Sequence, residues 1–88
     1  MELKQFTYVR QVAESGSFTK AAAELFISQP ALSNYVSKVE EDLGVKLFDR
    51  SANPLKLTYA GEQYVKRAKA ILGQMEEMNR ELRDITHH

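Results

Sequence analysis

Apolar residues recur at helical spacing along most of this chain, most clearly in residues 28–43. The apolar side chains of this segment fall on one face of an α-helix, and they are Leu32, Val36, Val39 and Leu43. Ser28 is a favourable N-cap, Pro30 suits the first helical turn because its missing N–H has no helical partner there, and Gly44 is a typical helix stop. The pattern therefore predicts a helix with a defined start and a defined end.

Two shorter helices are predicted before this one. The spacing of Leu3, Phe6, Val9, Val12 and Ala13 indicates a first helix of about residues 2–14, which Ser15-Gly16-Ser17 ends. A second helix starts at Ser17 or Phe18 and runs to about Phe26. Its alanines (Ala21, Ala22 and Ala23) would let another helix approach closely, with Phe18, Leu25 and Phe26 as apolar anchors. Short helices joined by a tight turn form a helix-turn-helix.

The hydrophobic period changes after Gly44. Leu47 and Phe48 lead into the turn Ser51-Ala52-Asn53-Pro54, and Leu55 and Leu57 then alternate around Lys56. This pattern predicts two short strands, the wing of a winged helix. Because a two-stranded hairpin is marginally stable alone, we expect Leu47, Phe48 and Leu57 to pack against the helices.

A long last helix is predicted from Thr58, its N-cap, onward. Its apolar positions follow a heptad seam of Tyr64, Ala68, Ile71, Met75, Met78, Leu82 and Ile85. About 28 helical residues would extend roughly 40 Å, further than the small preceding domain could cover. We therefore expect the seam to pair with a second copy; the alternative is that this helix packs back on its own domain. The predicted fold is mainly α, with a winged helix-turn-helix of three helices and a two-stranded wing in residues 1–58 and a dimerisation helix in 59–88.

The polar face of the segment 28–43 is unusual for a solvated helix. It carries hydrogen-bonding groups and little net charge, from Gln29, Ser33, Asn34, Ser37 and Lys38. Such a face suits a helix whose N-terminal end enters a DNA groove. The chain has a formal net charge of zero, which counts against nucleic-acid binding, but residues 46–69 carry six basic and only two acidic residues.

Other chemistry finds little support in the sequence. There are no cysteines, and the adjacent His87 and His88 lack a third ligand, so no metal site is predicted. No Gly-rich phosphate loop or catalytic constellation is present, and the acidic runs Glu40-Glu41-Asp42 and Glu76-Glu77 are interpreted as solvated helix faces, so no enzyme is predicted. No apolar run suggests a signal peptide or a membrane span, and a cytoplasmic protein is expected.

Five motifs at fixed spacings closely resemble the N-terminal DNA-binding domain of LysR-type transcriptional regulators. They are the Ala-rich second helix, SQPALS from Ser28, Val39-Glu40 with Leu43-Gly44, Leu47-Phe48-Asp49-Arg50, and Leu57-Thr58-Tyr59-Ala60-Gly61. The resemblance covers Met1 to about Ala70, and the remainder is similar to that family's linker helix. It implies a winged helix-turn-helix that dimerises through the linker helix and binds an interrupted palindrome in promoter DNA.

The resemblance also implies what this chain lacks. Full-length members of the family carry a C-terminal effector domain, so the chain is expected to be an N-terminal fragment, with a tetramer expected of the full-length protein. No cofactor is expected, and a small-molecule co-inducer only at the absent domain. His87-His88 is either native or the remnant of a purification tag.

In the family, the third helix lies in the major groove. Mapped onto this chain, the DNA-contacting positions are Ser28, Gln29, Pro30, Ala31, Ser33, Asn34 and Lys38. The amides of Gln29 and Asn34 can pair with adenine, and the apolar Pro30 and Ala31 can contact a thymine methyl group. Ser33 and Lys38 suit phosphates better. The alternative is that Pro30 and Ala31 only start the helix and that Asn34 is a solvated surface residue.

Further contacts are implied outside the third helix. Thr19, at the start of the second helix, would face the phosphate backbone, unless it only caps that helix. Arg50, Asn53 and Lys56 of the wing would reach the minor groove, although Arg50 could instead pair with Asp49 or a nearby carboxylate. Relatives often have Arg at positions 34 and 53, so the two asparagines put the inherited sequence preference in doubt. The rival function is a protein-interaction or dimerisation module without DNA readout.

Overall fold

The computed structural model describes residues 1–86 and contains four helices and one two-stranded sheet. The elements in chain order are α1 (Leu3–Ser15), α2 (Phe18–Glu24), α3 (Gln29–Leu43), β1 (Phe48–Asp49), β2 (Lys56–Leu57) and α4 (Tyr59–Thr86). The strands are antiparallel, with Phe48 opposite Leu57 and Asp49 opposite Lys56. The mainly helical, winged helix-turn-helix architecture predicted from the sequence is confirmed.

The helix ends lie where local capping chemistry predicted them. The Ser28 hydroxyl accepts a hydrogen bond from the Ala31 N–H (3.2 Å), and the Thr58 hydroxyl accepts one from the Gly61 N–H (3.0 Å). Gly16 ends α1 and Gly44 ends α3, with φ of 67° and 75° in the left-handed region that glycine adopts without strain.

The end of α2 differs from the prediction. The Phe26 N–H donates to the Ala23 carbonyl (3.2 Å) and the Ile27 N–H donates to the Ala22 carbonyl (3.0 Å), the hydrogen-bond pattern of a Schellman motif. Phe26 occupies its left-handed position with φ of 60°, and its side chain is 95% exposed. The expectation that Phe26 anchors the helix is therefore wrong, because this backbone conformation directs the ring into solvent, whereas Phe18 and Leu25 do pack against the core.

The core lies between the first three helices, the wing and the start of α4. Its most buried large side chains are Val9, Val12, Leu32, Val36 and Leu47, each at most 1% exposed. Leu47 and Phe48 are buried and Leu57 packs against the same cluster, so the wing leans on the helices as expected. At Gly61 a Cβ atom would lie 1.9 Å from the Leu47 carbonyl oxygen, so only glycine allows this approach of α4.

Helix α4 has two parts with different surroundings. Its first turns pack on α1, where the rings of Phe6 and Tyr64 lie 5.7 Å apart and Ala68 is fully buried. Further along, the apolar side chains of Met78, Leu82 and Ile85 are 51%, 54% and 64% exposed. The molecule is accordingly elongated, at 52 × 25 × 22 Å, because α4 extends beyond the domain.

This division changes the predicted dimer seam. Tyr64 is half-buried and Ala68 fully buried inside their own chain, so Ala68 has no surface to offer a second copy. The alternative, that α4 packs back on its own domain, holds for this first part. The core also crosses the predicted boundary at residue 58, since Val65 belongs to the buried cluster.

His87 and His88, which the sequence excluded as a metal site, lie outside the described residues. Within residues 1–86, no three His, Cys, Asp or Glu side chains are grouped to hold a metal ion. In the same range no helix combines the length and the apolar character needed to cross a membrane.

Candidate nucleic-acid interface

The N-terminal half of α3 presents a continuous exposed surface. The predicted contact residues that are exposed there are Ser28, Gln29, Pro30, Ala31, Asn34 and Lys38. Pro30, Asn34 and Lys38 are four residues apart, so they form one stripe along the helix, while the apolar stripe on the opposite side is buried. Ser28 has a second task, since its hydroxyl caps the helix.

Ser33 lies on an adjacent stripe with Ser37, four residues further on, and this stripe faces the wing. Both serines are half-buried, and both contact Arg50, the residue directly after β1. The Arg50 guanidinium donates from Nη1 to the Ser33 hydroxyl (2.6 Å) and from Nη2 to the Ser33 carbonyl (3.3 Å) and the Ser37 hydroxyl (3.0 Å). Its central carbon also lies 4.4 Å from the centre of the Phe18 ring, so it joins the wing to α2 and α3.

This geometry corrects the minor-groove role expected of Arg50. The guanidinium folds back onto α3 and does not extend from the wing, because two hydroxyls, a carbonyl and an aromatic face hold it there. The alternative of a structural pairing with a nearby carboxylate is what the structure shows, and the carboxylate is Glu40, at 3.5 Å from Arg50 Nη2.

Glu40 is a functional group that the sequence interpretation missed. Its side chain is only 2% exposed, so the expected solvated face is wrong at this position. Its Oε2 accepts hydrogen bonds from the backbone N–H groups of Leu47 (2.7 Å) and Phe48 (3.3 Å) at the start of the wing. In the described part of the chain its Oε1 has no hydrogen-bond partner, which leaves the Arg50 charge as the group that compensates it.

A sequence signal for Glu40 did exist. It lies four residues after Val36 and eight after Leu32, on the stripe of α3 that is buried. A carboxylate on an apolar stripe must find donors, since burying an unpaired charge is costly. Because Glu40 is followed directly by Glu41 and Asp42, which are exposed, all three were interpreted as one solvated face.

Two predicted wing contacts remain besides Arg50. Asn53 lies in the turn and Lys56 on β2, and both side chains are exposed. Lys56 lies opposite Asp49, whose carboxylate accepts hydrogen bonds from the Ser51 hydroxyl (2.6 Å) and backbone N–H (3.1 Å). These bonds from Ser51 lower the pKa of the Asp49 carboxyl, so an anion accompanies the Lys56 cation.

The start of α2 resolves the alternative for Thr19. The cap of this helix is Ser17, whose hydroxyl accepts a hydrogen bond from the Lys20 N–H (3.2 Å). Thr19 is exposed and is not the cap, so its hydroxyl is accessible.

The chain is similar to known regulatory proteins in sequence and in structure. A model of the family described as "Bacterial regulatory helix-turn-helix protein, lysR family" matches residues 3–62. The chain is 40% identical over all 88 residues to a probable cat1 operon transcriptional activator of Acinetobacter lwoffii. It spans 29% of the length of that relative.

Two solved structures resemble nearly the whole chain. A crystal structure of the BenM DBD with catB site 1 DNA matches with a TM-score of 0.94 and 38% identity, covering 100% of this chain and 97% of that chain. A CbnR DBD–DNA complex matches with a TM-score of 0.86 and 35% identity, covering 98% and 99% of the respective chains. The similarity therefore includes α4 as well as the winged helix.

Proposed function

Because this chain belongs to the lysR family of bacterial regulatory helix-turn-helix proteins, we propose that it binds double-stranded operator DNA sequence-specifically, as a dimer. One observation carries the proposal: the exposed, polar, nearly uncharged N-terminal half of α3 in a chain that superposes over its whole length on a domain crystallised with DNA. The proposed role is binding, with no reaction catalysed, in the bacterial cytoplasm.

In the proposed complex the first two turns of α3 enter the major groove. Gln29 and Asn34 carry amides that can pair with adenine N6 and N7, and Pro30 and Ala31 offer apolar surface to a thymine methyl group. Lys38, one turn beyond Asn34 on the same stripe, suits a phosphate. Their exposure supports these roles.

The proposed wing contact is weaker than the sequence suggested. With Arg50 hydrogen-bonded to α3, Asn53 and Lys56 remain as the proposed wing contacts, both exposed, and Asp49 offsets the Lys56 charge. Thr19 contributes a hydroxyl to the phosphate backbone at the start of α2. Affinity should therefore depend chiefly on α3.

The proposed dimer seam is the exposed part of the heptad pattern on α4. It comprises the exposed Ile71, Met78, Leu82 and Ile85 together with the half-buried Met75. An apolar groove of about 370 Å³ continues from Ile71 past Tyr64 to Leu43, Val45 and Met1. This continuity supports a second copy as the occupant, because contiguous exposed apolar surface marks protein–protein interfaces. A two-fold dimer would fix the spacing of two half-sites.

A tetramer and a small-molecule co-inducer are proposals for a longer protein built on this domain. The chain spans 29% of the activator it resembles, so the activity of a whole regulator goes beyond these 88 residues.

Selection of bound sequences from a random DNA pool tests the proposed function. We expect enrichment of two inverted half-sites separated by a constant spacer, since two copies would be held at a fixed distance. A pool that remains random through successive rounds would contradict DNA readout. The protein-interaction or dimerisation module would then be favoured, provided that the same preparation is a folded dimer.

A further inference from the structure

Arg50 contacts Ser33 and Ser37 at the edge of the proposed interface, and it also contacts Glu40 and Phe18 inside the domain. We propose, on the basis of the proposed function, that Arg50 is a positioning residue which keeps the hydroxyls of Ser33 and Ser37 as outward hydrogen-bond donors to DNA. It would act through these two serines without touching DNA itself. The hydrogen bonds that its guanidinium donates support this role.

Arg50 makes hydrogen-bond acceptors of the Ser33 and Ser37 hydroxyl oxygens. A serine hydroxyl has one proton to donate and two lone pairs, whereas a guanidinium can only donate. When Nη1 donates to the Ser33 oxygen (2.6 Å) and Nη2 to the Ser37 oxygen (3.0 Å), each hydroxyl keeps its own proton free. Each can then offer that proton to an acceptor outside the protein, such as a phosphate oxygen.

Arg50 also occupies an acceptor inside α3 that could compete for the Ser37 proton. A serine within a helix commonly donates to the carbonyl four residues earlier, which for Ser37 is the carbonyl of Ser33. Arg50 Nη2 donates to that carbonyl as well (3.3 Å). The same guanidinium therefore occupies the acceptor that would otherwise capture the Ser37 proton.

Glu40 and Phe18 hold the Arg50 guanidinium in position. Its Nη2 lies 3.5 Å from the buried Glu40 Oε1, and its central carbon lies 4.4 Å from the centre of the Phe18 ring. Glu40 in turn holds the backbone of Leu47 and Phe48. A planar fork with several donors can satisfy all these groups at once, whereas the single ammonium of lysine cannot.

The test compares Arg50→Lys with wild type and with Lys56→Ala, a wing cation without these partners, on a site chosen by selection. Affinity is measured by fluorescence anisotropy over a series of salt concentrations. We expect Arg50→Lys to lose about ten- to hundredfold in affinity, with an unchanged slope of log K against log salt. Lys56→Ala should lose less and make the slope shallower by about 0.9, if Lys56 neutralises a phosphate.

A double-mutant cycle separates positioning from direct contact. If Arg50 acts through Ser33, then Ser33→Ala and Arg50→Lys together should lose little more affinity than the larger single loss. Additive losses, or Arg50→Lys binding like wild type, would overturn the positioning role. So would a shallower salt slope for the charge-removing pair Arg50→Met with Glu40→Gln, which leaves no buried carboxylate uncompensated.

The outcomes also distinguish this inference from the proposed function. Wild-type protein that binds the selected site with a steep salt dependence upholds the proposed function whatever Arg50 does. Wild-type protein that binds no DNA overturns both.

Discussion

Single residues account for the two clearest departures from the sequence interpretation, and both depend on where a side chain points. Phe26 belongs to an apolar helical pattern, but the α2 C-terminus places it at a left-handed backbone position, as Gly16 is after α1 and Gly44 after α3. Glu40 belongs to an acidic run, but it faces the core. Neither orientation follows from residue type.

Replacing Phe26 by glycine should stabilise the domain. A left-handed backbone costs a side-chain-bearing residue about 1–2 kcal/mol, and the exposed Phe26 ring recovers none of this by burial, so we expect Phe26→Gly to raise the free energy of unfolding by about 1 kcal/mol. Urea denaturation measures the change. Gly44→Ala, at the same position of α3, should shift stability in the opposite direction, and destabilisation by Phe26→Gly would show that the ring makes a contact.

At the scale of elements, the helix ends could be predicted from the sequence, whereas the packing partner of α4 could not. Helix boundaries were predictable because capping is local: Ser28, Thr58, Gly16 and Gly44 act within a few residues of themselves. The packing of α4 was not, since a heptad pattern marks a face to be buried without saying against which partner. Tyr64 packs against Phe6 of α1 and Ala68 is fully buried within its own chain, which no periodicity reveals.

Gly61→Ala should destabilise the fold by about 1–3 kcal/mol, because the added Cβ would overlap the Leu47 carbonyl and push α4 from the wing. The matched control is Gly73→Ala in the same helix, where nothing lies within 4 Å of the added atom. That substitution should stabilise by up to about 1 kcal/mol through helix propensity. Thermal denaturation compares the two, and equal effects would contradict the close approach.

The contact between α4 and α1 should also give a dependence on alkaline pH. Burial, and to a lesser extent Tyr35, raises the pKa of Tyr64 to about 12, above the value of about 10 in an unfolded chain. The folded state thus holds this proton more tightly, so its contribution to stability is complete below about pH 10 and is lost as the pH rises towards 12.

Chemical denaturation between pH 9 and about 12 measures this loss. Below about pH 10 the difference in unfolding free energy between wild type and Tyr64→Phe should be constant, and above about pH 10 the wild type should lose stability relative to Tyr64→Phe. Tyr59→Phe, at an exposed tyrosine of the same helix, controls for the removal of one phenol. Parallel pH profiles for wild type and Tyr64→Phe would contradict the burial of the Tyr64 hydroxyl.

At the scale of the whole molecule, the structure is 52 Å long and exposes apolar side chains on the distal part of α4. The fold could be predicted from periodicity, caps and turn residues, and so could the exposed residues of α3, because an amphipathic helix displays whatever its apolar stripe does not use. The sequence left open whether Arg50 points outward or pairs with a carboxylate, since the answer depends on how closely the wing approaches α3. Long-range contacts of this kind are absent from local sequence patterns.

The proposed dimer can be separated from DNA binding. Ile71→Asp with Met78→Asp should yield monomers, because two carboxylates would be buried without partners in the seam. Sedimentation velocity measures the change, with Ala70→Asp and Asn79→Asp, at exposed positions outside the seam, as the control pair. Dimers that persist in the seam variant would move the interface to another surface.

The central claim is that α3 reads bases, and the most direct measurement is the affinity of wild type and Asn34→Ala for the selected site and for copies altered one base pair at a time. If Asn34 reads a base, Asn34→Ala should lose about 1–3 kcal/mol on the selected site and lose discrimination at one position only. Lys38→Ala, a phosphate contact by proposal, should weaken binding equally on every sequence. An Asn34→Ala variant that keeps the full wild-type discrimination at every position would contradict base readout by this residue.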